Sequence, residues 1–135
     1  MTKELNAVQQ LWLNRLRDPN AKQAQRAMRV TSVATGELVG HCCLGEYYAA
    51  KYGDRAFNKF VAQDGQQRWT ADGNTCILPD WDLKSLGINI DDCGTLADLN
   101  DTVDATFLQI ADVLEDVFTG KYSTVSEAAD AQGVR

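Results

Sequence analysis

The segment from Thr106 to Phe118 constrains this chain more than any other. Thr106 and Gln109 stand at capping-box spacing, and Phe107, Ile110, Ala111, Leu114, Val117 and Phe118 recur on one face at the helical period. A helix with so wide an apolar stripe must bury it, so the rest of the chain has to supply a matching surface. Gly120 ends the pattern. A second amphipathic helix is predicted over residues 3–18, where Leu5, Val8, Leu11, Trp12 and Leu16 recur, Thr2 caps the start and Asp18 with Pro19 ends it.

Strand signals fill the middle. AMRVTSV and ELVGHCCL flank a turn at Gly36, and AFNKFVAQ and QQRWTA flank Asp64-Gly65, so two hairpins are expected, with TCIL before Pro79 as a further short strand. Residues 20–26 read as a polar connector. GEYYAAKY predicts a helix over 45–52 closed by Gly53, Pro79 opens a short helix through Leu86 stopped by Gly87, INI reads as extended, and a short helix follows from Thr95 to Asn100. The predicted fold class is α+β: a small antiparallel sheet packed against N- and C-terminal amphipathic helices. No repeat or linker interrupts residues 1–120, which are expected to form one domain. Residues 121–135 read as a flexible tail in which SEAADAQ could add a helical turn.

Composition narrows the function. With 135 residues, 44% hydrophobic and 24% charged, the chain suits one core, and it holds no run near the ~20 apolar residues of a membrane span. The start MTKELNAVQQ lacks the pattern of a secretory signal, so a cytoplasmic setting is expected. A net charge of −6 argues against general nucleic-acid binding. The sign is uneven: residues 1–35 hold six basic side chains against two acidic ones, a local +4, and the remainder holds seven against seventeen, −10. A small anionic partner stays compatible with that asymmetry. No disulfide is expected among Cys42, Cys43, Cys76 and Cys93, and no pair of them has structural-zinc spacing, so no metal and no cofactor is implied.

HCCLGEYY gathers His41, Cys42, Cys43, Glu46 and Tyr47 at a strand-to-helix junction. A helix N-terminus and an imidazole are two ways to lower a thiol pKa, which makes Cys43 a candidate nucleophile, His41 its base and Asp101 or Asn100 the orienting group. The competing expectation is that both thiols are compact core residues. Asp91, Asp92, Asp98, Asn100 and Asp101 form an acidic stretch without calcium-loop spacing, expected to be solvated or capping. Trp12 falls on the apolar stripe, whereas Trp69 and Trp81 are expected to be partly buried at a pocket or partner surface.

Several strings in order then resemble a small family of proteins encoded by bacteriophages and prophages. These are Trp12, Lys22-Gln23, Cys42-Cys43-Leu44-Gly45, Leu78-Pro79, Leu86-Gly87-Ile88, Leu96 with Leu99-Asn100-Asp101, and Phe107, Ile110-Ala111-Asp112 and Glu115, spanning residues 12–115. The chain departs from that pattern at Ser85, where the family often has tryptophan, at Glu46, where it has valine, and by one extra residue before Phe107. The resemblance implies a virus-encoded accessory protein of the host bacterial cytoplasm and supplies no reaction.

Three functions follow as expectations. The foremost is a binding protein that sequesters a host signalling nucleotide or inhibits a host protein, in counter-defence or host takeover. Arg26, Arg29, Tyr47 and Trp69 are its expected ligand contacts, guanidinium to phosphate and ring to base. The others are a minor virion or assembly component, for which homo-oligomers would speak, and a thiol-dependent hydrolase using Cys43 and His41.

Overall fold

The computed structural model describes residues 2–135 and has an α+β architecture, with six α-helices and a four-stranded antiparallel sheet. The C-terminal capping signal is realised as read. Thr106 Oγ1 accepts from the Gln109 N–H at 3.2 Å, Gln109 Oε1 accepts from the Thr106 N–H at 2.9 Å, and α5 runs from Phe107 to Phe118 with its apolar face buried. Helix α1 spans Ala7–Leu16 and starts later than predicted, because the cap is not Thr2 but Asn6, which forms a capping box with Gln9. Ahead of it, the Lys3 N–H donates to the Thr119 carbonyl at 2.9 Å and ties the N-terminal segment to the end of α5.

Both hairpins are present. Strands β1 (Arg29–Ser32) and β2 (Leu38–His41) form the first, β3 (Phe57–Gln63) and β4 (Gln66–Ala71) the second, and the sheet order is β2-β1-β4-β3. TCIL forms no strand. Ala71 bridges Asn74 instead, across a tight turn at Asp72 and Gly73, and Leu78 goes into the core. The two sheet edges differ. The connector over 22–24 runs beside β2, with the His41 N–H donating to the Lys22 carbonyl and the Ala24 N–H to the His41 carbonyl. Gly40 permits that approach, since a Cβ there would lie 2.7 Å from the Lys22 carbonyl oxygen. Strand β3 is the open edge and is exposed apart from Phe57.

Helix α2 (Cys43–Tyr52) joins the sheet to the helical layer: it follows β2, packs on α1 and meets α4. It begins two residues before the predicted start because Cys42 acts as its cap, the thiol sulfur accepting from the Gly45 N–H at 3.3 Å. A Cβ on Gly45 would sit 1.8 Å from the Met28 carbonyl oxygen, so the helix lies directly on the backbone entering β1. Helix α3 (Asp80–Leu86) follows Pro79 and stops at Gly87 as read. Helix α4 (Ile90–Asp101) is longer than the predicted 95–100: Asn89 and Asp92 make a capping box, so the INI segment, read as extended, enters a helix.

The expected flexible tail is corrected. Val125–Ala131 forms helix α6, capped by Thr124, and Val125, Ala128 and Ala129 are fully buried against α4 and α5. The buried carboxylate of Asp92 secures it, Oδ1 accepting from the Val125 N–H at 3.0 Å. No helix among the described residues is long and apolar enough to cross a membrane.

Candidate ligand-binding face

The CCLG string is interior. Cys43 is fully buried, its thiol donates to the Leu96 carbonyl at 3.6 Å, and its carbonyl accepts from Trp12 Nε1 at 2.8 Å. Burial pushes the Cys43 thiol well above the ordinary range, with Cys42 and Asp101 adding to the effect, and burial pushes Cys42 up to about 12. A nucleophilic thiol needs the opposite shift. The expected catalytic set is brought together only in part, since Asn100 touches the Cys43 backbone N–H and not its thiol. The strand ends at His41, so His41 and Cys43 do not share a strand face, and Asp101 accepts from the Arg26 N–H at 2.9 Å and from Asn100 Nδ2 at 2.8 Å.

His41 finds a different partner. It is buried, with Nδ1 lying 3.0 Å from Glu46 Oε2, and Arg15 reaches the same oxygen at 3.5 Å. Its ring packs on Phe57 with centroids 5.6 Å apart. Nε2 is left buried with no hydrogen-bond partner, 3.9 Å from Asp54 Oδ1.

Two of the four expected ligand contacts meet. Arg29 and Trp69 are directly opposite one another on β1 and β4. Arg29 is also opposite His41, and Trp69 opposite Lys59, so the row His41, Arg29, Trp69, Lys59 crosses all four strands on one face. A bulge in β3 sets its last member: pairs run Gln63 with Gln66 and Ala62 with Gln67, and the extra residue then brings Lys59 opposite Trp69. Lys59 Nζ lies 5.8 Å from the Trp69 ring, whose Nε1 donates to Thr31 Oγ1 at 2.9 Å. Arg29, Lys59, Trp69, Thr31 and Gln67 border a cavity of about 370 Å³. The four strands together carry Arg29, His41, Lys59 and Arg68 and not one Asp or Glu.

The other two contacts lie elsewhere. Tyr47 is a core residue, corrected from a ligand contact: it is fully buried, it packs edge-on against Trp12, and its hydroxyl donates to Asp82 Oδ1 at 2.6 Å. Burial and that carboxylate both raise its pKa. Arg26 belongs to a different cavity, about 520 Å³, which it shares with Arg68, Gln25, Gln66 and Asp104. Strand alternation turns Arg68 away from Trp69, so Arg26 cannot join the Arg29 row. Trp81, expected to be partly buried, is exposed on α3.

Asp54 and Lys59 were missed by sequence reasoning. Lys59 had a usable signal in the Asp64-Gly65 turn, which fixes the hairpin register, but the bulge shifts the pairing by one residue. Asp54 carried none, because its place beside Arg29 depends on the three-residue 3-10 turn Asp54–Ala56. No group of three or more His, Cys, Asp or Glu among the described residues is placed to hold a metal ion. Comparison with known proteins returns no matching family model, no matching curated protein and no matching solved structure.

Proposed function

We propose that this chain is a binding protein for a small anionic ligand bearing an aromatic ring, the nucleotide class, taken up on the sheet face of Arg29, Trp69 and Lys59. The in-register row of guanidinium, indole and ammonium beside a cavity, on strands free of carboxylates, carries the reading. The ring of the ligand stacks on Trp69 and its anionic groups meet Lys59 and Arg29. In the phage setting implied by the resemblance, such a protein acts by sequestering a signalling nucleotide in the host cytoplasm. The alternative, occupation of a host protein, is favoured by Phe60, 63% exposed on the open edge strand β3.

The test is a panel of nucleoside mono-, di- and triphosphates and cyclic dinucleotides, read by thermal shift and by tryptophan fluorescence. A ligand at 100 times its Kd adds about 2.7 kcal/mol to stability. The expected result is a rise in Tm with quenching that is absent in Trp69→Phe and weakened in Lys59→Ala. No shift and no quenching with any member at millimolar concentration overturns the reading.

A further inference from the structure

We infer that Asp54 occupies the anion end of this face as an internal stand-in for a ligand phosphate, and that it swings out to admit one. The inference rests on the ligand-binding reading of the Arg29 and Trp69 row and adds the group that guards it. Arg29 and His41 are two poorly solvated nitrogen-bearing side chains, 15% and 3% exposed, whereas the Asp54 side chain that faces both is 62% exposed. Asp54 Oδ1 lies 2.6 Å from Arg29 Nη1 and 3.9 Å from His41 Nε2. The carboxylate thus stands against the guanidinium as an ion pair that leaves Nη1 without an aligned hydrogen bond, where a fork of donors is available for a multidentate oxyanion.

The chemistry of His41 says which oxyanion fits. Nδ1 faces Glu46 Oε2, which leaves Nε2 as the ring nitrogen turned toward Asp54. At 3.9 Å the Asp54 carboxylate makes no hydrogen bond to Nε2, and Arg29 Nη1 is likewise buried without a hydrogen-bond partner, so Asp54 offsets charge and leaves both nitrogens unsatisfied. A phosphate or phosphate monoester carries both a P–OH donor and charged acceptor oxygens, so it can pair with Nε2 whichever way that nitrogen is protonated while its other oxygens accept from Arg29. Lys59 and Trp69 then lie along the same row for the rest of the ligand.

The experiment uses inorganic phosphate and a nucleoside monophosphate on the full chain, with the imidazole signals of His41 as the reporter. His41 is the single histidine of the chain, so its resonances need no assignment. Phosphate is expected to move them, and Asp54→Asn to tighten phosphate binding by about tenfold or more, as for a site released from an occupant that fills it most of the time. Asp54→Ala is expected to do the same, and Arg29→Gln to abolish the response. Overturning results are His41 resonances unmoved by phosphate in wild type and Asp54→Asn alike, or equal affinity in the two proteins. Phosphate binding with no gain from a nucleoside removes the stacking reading and leaves the role of Asp54 standing. Trp69 quenching by nucleotides with His41 silent does the reverse.

Discussion

Asn100 is fully buried, and both ends of its amide are in use. Oδ1 accepts from Gln23 Nε2 at 2.9 Å and from the Cys43 N–H at 3.2 Å, while Nδ2 donates to the Ala24 carbonyl at 2.9 Å and to Asp101. One side chain thereby clamps α4 to the connector and to the first turn of α2. Asn100→Ala strands these partners in the interior and is expected to cost about 3 kcal/mol, at roughly 1–3 kcal/mol per buried group left unsatisfied, seen as a lower urea midpoint. A midpoint within error of wild type would mean that water reaches the cluster. Gln23, Cys43 and the Asn100-Asp101 pair, which appeared in the sequence in three separate strings, meet at this one hub. Single residues were legible where a period placed them, as with Trp12, and illegible where the partner lies far along the chain. Tyr47 and Tyr48 are adjacent, and what makes Tyr47 an interior group lies far along the chain: Trp12 against its ring and Asp82, thirty-five residues on, for its hydroxyl.

At the scale of elements, α6 carries the clearest expectation. Truncation after Gly120 removes the burial of Val125, Ala128 and Ala129 and leaves the Asp92 carboxylate without one of its donors. It is expected to lower stability by about 3 kcal/mol, from roughly 25 cal/mol for each Å² of apolar surface re-exposed, and to lower Tm by several degrees in calorimetry. An unchanged Tm would return 121–135 to the status of a tail. Helix α6 escaped notice because its buried residues are small and few, so the period was faint, although Thr124 and Glu127 do stand at cap spacing. Helix α4 was cut short because its box uses Asp92 in place of Glu or Gln and because INI resembles a strand. The elements with strong local signals, α5 and the two hairpins, emerged with ends within a few residues of those read.

Over the whole molecule, Cys42, Cys43, Cys93, Tyr47 and Tyr52 all hold their protons more tightly folded than unfolded, burial being the largest cause at each. Above the ordinary thiol pKa of about 9 the unfolded chain sheds protons that the fold retains. The folded state then binds more protons, and stability falls as pH rises, over a window from about 9 to the raised values near 12 at Cys42 and Tyr52. Urea midpoints measured from pH 8 to pH 11 are expected to decline, and a flat series would mean that these groups ionise without unfolding. The proposed ligand face was half legible on this scale, since Arg29 and Trp69 could be named but not joined: joining them takes the β1 to β4 pairing, which no local turn encodes.

The carboxylate-free sheet lies within a chain of net charge −6. An anion of the proposed class would therefore be pushed away at a distance and drawn in only over the last few ångströms, within the screening length of about 10 Å at 0.1 M salt. On the proposed reading, added electrolyte hides the repulsion sooner than it weakens the contacts, so salt is expected to quicken capture and a long residence time to carry the affinity.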